Sequence, residues 1–190
     1  MIKAYKAEGI ILGRRNFGEA DKFITIFTKQ FGKKLVLAKG IRRVTSRRAP
    51  YLELFSHVAI VLHQGKTFDI LTEVNPIHTF THIYQKLERI GFACVALELT
   101  EKLTAENQES YLIFAKLLTY LEELNDISAT RKTTRERLLI YKHELLEELG
   151  FIRNDQFLAE EQMDTTIEHI LERELKSAEL LTSIQRRVNP

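Results

Sequence analysis

The sequence predicts an α+β chain of two domains, a small five-stranded β-barrel followed by an all-α helical domain. Two observations support this prediction. Up to about Pro76, apolar residues fall in short β-branched and aromatic runs between turn residues, and after it they recur every three or four residues. The charge divides in the same way, since residues 1–80 hold 14 Lys and Arg against 6 Asp and Glu, and the remainder hold 14 against 20. We place the boundary so that the domains are 1–77 and 78–190.

Five strands are predicted in the first half, one after another. They cover residues 5–12, 23–28, 35–38, 57–63 and 67–74. The turn at Gln64 and Gly65 indicates a tight hairpin between the last two strands. Five short strands with one long connection fit a small closed or partly open barrel, for which an OB-fold is the natural candidate. The pattern alone leaves an SH3-like barrel open.

The second half is predicted to be helical throughout. Ile83, Leu87 and Ile90 share a face, and Gly91 is expected to end that helix before a second one over 97–103. Further helices are predicted around 111–121 and 138–149, with Gly150 as a C-cap. Thr165 and Glu168 have the spacing of a capping box, and Ser177 is placed to cap a last helix over 178–187.

Composition excludes several classes of protein. The single cysteine, Cys94, rules out an internal disulfide and any site built on paired cysteines, so no metal or other cofactor is expected. The sequence contains no apolar run long enough for a membrane span and no secretory signal, which predicts a cytoplasmic protein. Gly65-Lys66-Thr67 is no P-loop, because Ile60 stands where the first glycine is needed. With no nucleophile motif either, we expect a binding protein and not an enzyme.

The strongest functional signal is a basic stretch without acids. No Asp or Glu occurs from Lys22 to Leu52, and nine Lys and Arg residues do. Such a stretch predicts a surface for a polyanion, most commonly nucleic acid, and the alternative is a solvated charged loop. The residues expected to contact phosphates or stack on bases are Arg14, Arg15, Lys33, Lys34, Lys39, Arg42, Arg43, Arg47, Arg48 and Tyr51. Phe17 and Phe55 also flank the stretch, but each single aromatic is more readily a core residue.

A second, smaller basic cluster lies in the helical half. It comprises Arg131, Lys132, Arg135 and Arg137 and precedes an apolar helix. The cluster suits an acidic peptide tail, with Arg131, Lys132 and Arg135 as the candidate contacts. Arg137 stands two positions from Arg135 and cannot share its helix face. A solvated helix surface is the alternative, in which case the contacts would come from Lys102, Lys116 or Lys142.

Several segments, in order, resemble the RecO family of bacterial recombination mediators. Residues 9–21 resemble the family's first strand and its GE-x-D turn, and 27–47 resemble its FT…G…AKG-x-RR…SR segment. Residues 52–56 match L-x-L-F/Y-S, and 138–151 resemble its LL-x-x-LG helix. The closing 174–181 is similar to its LKS helix. One departure is clear, because residues 153–163 hold no cysteine, whereas many members carry paired C-x-x-C zinc motifs after the LG helix.

The resemblance carries expectations that the residues alone do not. It implies an N-terminal OB-fold, a helical C-terminal domain, and binding of single- and double-stranded DNA with annealing of complementary strands. It implies as partners RecR and the acidic C-terminal tail of the single-strand DNA-binding protein, and as outcome the loading of RecA recombinase. Two other functions stay open at this point: an RNA-binding OB module, and an adaptor whose basic loop docks an acidic protein surface.

Overall fold

The computed structural model describes residues 3–153, 156, 158–171 and 175–188, with the side chains of 186–188 left aside. The chain divides into two compact units. The first is Met1–Thr79 with Ala105–Phe114, and the second is Phe80–Thr104 with Ala115–Pro190. Residues 105–114 therefore belong to the barrel unit, although residues of the second unit precede them in the sequence. A single boundary in the sequence cannot describe this division. The division at 77/78 itself stays a prediction.

Five strands form the first unit: β1 Ala4–Phe17, β2 Asp21–Thr28, β3 Gly32–Ala38, β4 His57–His63 and β5 Asp69–His78. They close into a barrel in the order β1-β2-β3-β5-β4. Every pairing is antiparallel except the one between β3 and β5, which is parallel. The predicted OB-fold barrel followed by a helical domain is therefore confirmed.

Alternation along the strands explains the barrel core. Ile24 and Ile26 on β2 are fully buried, as are Val36 and Ala38 on β3 and Val58 on β4. Residues two apart on a strand share a face, so these small and β-branched side chains meet inside the barrel. The intervening residues, such as Thr25 and Leu37, face outward and are half-buried.

β1 is longer than predicted and turns at a bulge. The sequence suggested an end near Gly13, but the strand runs on to Phe17 and keeps pairing with β2. The register shifts between Ile11 and Gly13, so one extra residue bends β1 around the barrel. As a result Arg14, Arg15 and Asn16 lie on a strand and not in a loop.

The described residues of the second half contain five α-helices: α1 Leu87–Leu103, α2 Tyr111–Asn125, α3 Arg131–Glu148, α4 Glu160–Leu171 and α5 Lys176–Val188. The prediction that Gly91 ends a helix is wrong, because α1 runs through it and includes the segment assigned to a second helix. Gly91 is buried, and a Cβ there would lie 2.8 Å from Leu181 Cδ1. The glycine therefore allows α1 and α5 to approach closely.

Two of the predicted helix caps are also wrong. α4 begins at Glu160, and Thr165 lies inside it with its hydroxyl donating to Glu161 O at 2.8 Å. Ser177 does not cap α5, since its backbone N–H and Oγ both donate to the Glu98 carboxylate, at 2.8 and 2.6 Å. Glu98 on α1 therefore serves as the acceptor at the start of α5.

The remaining helix-end prediction is supported. Gly150 follows α3 with a φ of +76°, the left-handed conformation that a C-cap requires. Glu174, in the last segment of family resemblance, lies outside the described residues. None of the described helices has the length and hydrophobicity to cross a bilayer.

Candidate nucleic-acid interface

A cleft opens at one end of the barrel, beneath the long connection between β3 and β4. We call residues 40–50 the connector, and the cavity that it forms with the ends of β1 and β2 the cleft. The cleft has a volume of about 600 Å³. Its lining includes four cationic side chains and one hydroxyl, from Arg14, Lys22, Arg42, Arg43 and Ser46. The acid-free stretch of the sequence thus folds into a concave, positively charged surface.

The cations of the cleft and connector differ in how far they are already neutralised. Arg14 forms an ion pair with Glu53, and Arg42 donates from Nη1 to Gly18 O at 3.1 Å. In the described part of the chain, the exposed side chains of Arg43 and Arg47 make no hydrogen bond or ion pair. Their guanidinium groups therefore retain all their donors for an external anion.

Ser46 adds an unusual polar group to the cleft. Its Oγ is buried and has no hydrogen-bond partner among the described residues. A buried hydroxyl without a partner costs free energy. The exposed guanidinium groups of the cleft are donors of the kind that phosphate binding uses.

Arg48 has a different environment from the rest of the connector. Its Nη1 donates to Leu71 O at 2.7 Å and to Thr72 O at 3.3 Å, and its Nη2 donates to Lys39 O at 2.6 Å. These bonds tie the connector to β5 and to the end of β3. Arg48 was a predicted phosphate contact, and this remains untested, but the geometry gives it the role of an anchor.

The predicted lysines of β3 are not brought together. Lys39 is exposed at the end of β3 that leads into the connector, whereas Lys33 and Lys34 lie near the β2–β3 turn. Lys34 Nζ is 3.1 Å from Asp69 Oδ2 and stands 5.6 Å from the centre of the Tyr5 ring. Lys34 is thus part of an internal polar cluster and does not line the cleft.

This cluster shifts two pKa values in opposite directions. Burial, followed by the hydrogen bond to Asp69, raises the pKa of the Tyr5 hydroxyl far above its usual range. Burial of Asp69 acts to raise its pKa, but hydrogen bonds from Tyr5 and Lys34 outweigh it and lower the pKa. Asp69 therefore remains ionised, and the cluster joins β1, β3 and β5.

The aromatic residues that flank the basic stretch differ in exposure. Phe55 is fully buried, in agreement with its expected place in the core, whereas Tyr51 on the connector side is partly exposed. The Arg15 guanidinium lies 5.6 Å from the centre of the Phe23 ring. Phe68, which sequence reasoning did not select, is exposed beside Phe23. No local motif marks Phe68, because it reaches this position only through the strand pairing.

The basic cluster of the helical unit is internally paired. Arg131 Nε is 2.7 Å from Glu88, Arg135 Nη2 is 2.7 Å from Glu160, and Arg137 Nη1 is 3.2 Å from Glu123. Only Lys132 keeps a mostly free cation, with 87% of its side chain exposed and Glu136 at 3.9 Å. The predicted tail contacts are therefore on the surface, but their charge is largely compensated.

Two of the three alternative lysines are also paired with carboxylates. Lys142 is buried with its Nζ 2.6 Å from Asp164, and Lys116 lies 3.3 Å from Glu144. Lys102 is exposed in the last turn of α1. Neither set stands out as an open cationic groove in the described residues.

No catalytic constellation is apparent in the described residues. Burial, with a smaller contribution from Glu98, raises the pKa of the Cys94 thiol, which disfavours the reactive thiolate. No group of three or more His, Cys, Asp or Glu side chains in the described part of the chain is arranged to hold a metal ion. The predicted lack of a metal stays a prediction.

A closed five-stranded barrel with a basic cleft, continued by a helical unit, defines a two-domain protein of the OB-fold class. Residues 1–80 match the family model described as "Recombination protein O N terminal". The DNA repair protein RecO of Roseiflexus sp. is 38% identical over 149 residues, which cover 78% of this chain and 51% of that protein. That of Symbiobacterium thermophilum is 33% identical over 147 residues, or 77% of this chain and 57% of that protein.

The chain belongs to the RecO family of DNA repair proteins. It spans about half the length of the curated relatives that it matches.

Proposed function

We propose that this chain is a non-enzymatic recombination mediator that binds single- and double-stranded DNA through the barrel unit. The observation that carries the proposal is the cleft, which is lined by cations from β1, β2 and the connector together. The names of the relatives, which are DNA repair proteins, support DNA as the polyanion. We place the protein in the cytoplasm, in association with the nucleoid.

In the proposed mechanism the connector neutralises phosphates. Arg43 and Arg47 contribute full charges, and Lys39 and Arg42 extend the surface along the connector. Each contact releases condensed counterions, so binding is driven largely by a salt-dependent term. Once the backbones of two complementary strands are neutralised, they approach and anneal, because their mutual repulsion is reduced.

An annealing assay tests this function. Complementary oligonucleotides, one carrying a donor and one an acceptor dye, are mixed with the full chain, in the presence and absence of single-strand DNA-binding protein. We expect faster annealing with the wild type and little acceleration with Arg42→Ala/Arg43→Ala/Arg47→Ala. Acceleration that is unaffected by the triple substitution would contradict the proposed surface. Preferential binding of RNA of the same sequence would favour the RNA-binding alternative.

We also propose that the helical unit receives the acidic C-terminal tail of the single-strand DNA-binding protein. RecR and, indirectly, RecA are the further partners, with RecA loading on coated DNA as the outcome. A tail with carboxylates and apolar side chains needs a helix-lined groove with cations at its edge. The candidates are Arg131, Lys132 and Arg135, of which Lys132 is the least compensated.

A fluorescent tail peptide distinguishes the two sets of candidates. Charge reversal of Arg131, Lys132 and Arg135 is compared with charge reversal of Lys102 and Lys116. Loss of peptide binding in the first variant alone supports the predicted site. Loss in the second alone moves the site to the other set. Peptide binding without DNA binding by the wild type would favour the adaptor function.

A further inference from the structure

Three phenylalanine rings form a continuous aromatic surface on the outside of the barrel. The centre of the Phe23 ring lies 4.7 Å from that of Phe17 and 4.8 Å from that of Phe68. Phe23 is buried between them at 6% exposure, whereas Phe17 is 48% exposed and Phe68 is 39% exposed. We call these three residues the aromatic platform. Two large apolar rings are thus offered to solvent over a fixed base.

The strand register explains how residues distant in sequence meet here. Phe23 on β2 is opposite Arg15 on β1 and Leu37 on β3, and Leu37 is in turn paired with Ile70 on β5. Phe17 and Phe68 stand two residues from Arg15 and Ile70, so they lie on the same side of the sheet. Since Ile24 next to Phe23 points into the core, the platform faces outward.

A tight turn holds Phe68 in place. A Cβ on Gly65 would lie 2.0 Å from the carbonyl oxygen of Phe68, so no other residue fits at Gly65 without moving the backbone. Asp69, the next residue, is fixed by Tyr5 and Lys34. The backbone of Phe68 is therefore held on both sides, which reduces the backbone entropy lost when a ligand binds there.

The platform and the cleft share the end of the β1–β2 hairpin. Asn16 and Lys22, a directly opposed pair, line the cleft, while Arg15 and Phe17 on either side of Asn16 point to the platform. Successive strand residues face opposite sides, so phosphate-binding and apolar groups are separated only by the thickness of the hairpin. Arg15, with its guanidinium 5.6 Å from the centre of the Phe23 ring, adds a cation to the apolar side.

Charge complementarity selects the occupant of this surface. Two of the carboxylates beside the platform are already bonded within the protein. Asp21 accepts a hydrogen bond from the backbone N–H of Gly40 at 2.7 Å, and Asp69 lies 3.1 Å from Lys34 Nζ. Against the exposed Glu19 in the β1–β2 turn stand three cations nearby, Arg15, Lys22 and Lys39. Aromatic faces bordered by cations suit a ligand that alternates flat rings with phosphates, and this describes a nucleic acid strand with unpaired bases.

We propose that Phe17 and Phe68 stack on unpaired bases and so give the barrel a preference for single-stranded DNA. This inference rests on the proposed function, in which the same barrel binds DNA. In a duplex the faces of the bases are covered by their neighbours, so the platform contributes nothing there. The cleft grips phosphates in both kinds of DNA, and the platform adds affinity only where bases are free.

Binding to three DNA ligands of equal length tests the proposal: a single strand, an abasic single strand and a duplex. Phe17→Ala/Phe68→Ala is compared with wild type and with Phe151→Ala, a control that removes a phenylalanine of similar exposure, 45%, from the helical unit. We expect the double variant to lose about 5- to 150-fold in affinity for the single strand per lost stacking contact. Its affinities for the abasic strand and the duplex should equal those of the wild type.

A second variant guards against misfolding and reports on stacking directly. The chain has no tryptophan, so Phe68→Trp introduces its only indole and keeps a stacking surface. Its fluorescence should be quenched by the single strand and unaffected by the abasic strand, and Phe151→Trp should respond to neither.

The possible results distinguish failure of the aromatic platform from failure of DNA binding itself. Equal wild-type affinity for the normal and abasic strands would overturn the platform while leaving DNA binding intact. Loss of duplex or abasic binding in the double variant, or no quenching in Phe68→Trp, would also overturn it. Absence of any DNA binding by the wild type would refute the proposed function itself.

Discussion

Arg43 and Arg47 should control the salt dependence of DNA binding without affecting stability, and Arg48 should do the reverse. The side chains of Arg43 and Arg47 make no hydrogen bond or ion pair in the described chain, whereas Arg48 donates to three backbone carbonyls. The prediction compares Arg43→Ala/Arg47→Ala with Arg48→Ala. Lys3→Ala/Lys6→Ala is the matched control, because both lysines are exposed on the barrel and neither lines the cleft.

The size of both effects follows from the contacts. If each arginine neutralises one phosphate, removing two reduces the slope of log K against log[salt] by about 1.4 for single strands, or about 25-fold in K per tenfold change in salt. For Arg48, the carbonyl of the buried Leu71 loses a donor, whereas Thr72 and Lys39 are exposed and their carbonyls can be rehydrated. One such loss lowers the free energy of unfolding by about 2 kcal/mol.

Fluorescence anisotropy over a salt series gives the slope, and denaturant titration gives the free energy of unfolding. The control should retain both the wild-type slope and the wild-type stability. A wild-type slope in Arg43→Ala/Arg47→Ala would refute the assignment of these residues to phosphates. A flattened slope with unchanged stability in Arg48→Ala would refute its role as an anchor.

Three further predictions concern packing, pH and metal. Gly91→Ala should lower the free energy of unfolding by about 1–3 kcal/mol, seen in denaturant titration, because its Cβ would lie 2.8 Å from Leu181 Cδ1. Asp69 has a lowered pKa, so its ionised form stabilises the fold above about pH 4, and this stability is lost as the pH falls further. Asp69→Asn should remove that part of the acid dependence measured by thermal unfolding. Elemental analysis should find no stoichiometric zinc, and a chelator should leave the melting temperature unchanged.

Local patterns predicted what depends on neighbours in sequence. The segment 57–63 is β4 as predicted, since alternation and β-branched residues specify a strand without help from the rest of the chain. Gly91 shows the limit of such reasoning. A glycine in an apolar segment suggests the end of a helix. Here α1 continues, because Leu181, ninety positions further on, fills the space beside Gly91. A contact over that separation leaves no trace in the local pattern.

The same limit applies to the candidate site. The acid-free stretch predicted the basic surface, because net charge depends on composition alone. It could not separate Arg48, whose guanidinium is bound to backbone carbonyls, from Arg47, whose guanidinium is free of such bonds in the described chain. It also missed Phe68, which joins Phe23 only when β5 pairs with β3.

The parallel pairing of β3 with β5 is the shortest contact in the barrel wall. Only Val36 with Asp69 and Leu37 with Ile70 are paired there, whereas the other four ladders are long and antiparallel. Separating β3 from β5 breaks the fewest interstrand hydrogen bonds, so local opening needs the least free energy at this seam. Its amide protons should therefore exchange with solvent sooner than those of β1 and β2. Phe68 directly precedes the seam. The proposed base-stacking surface thus borders the strand pairing that opens most readily, and we expect a bound DNA strand to slow that opening.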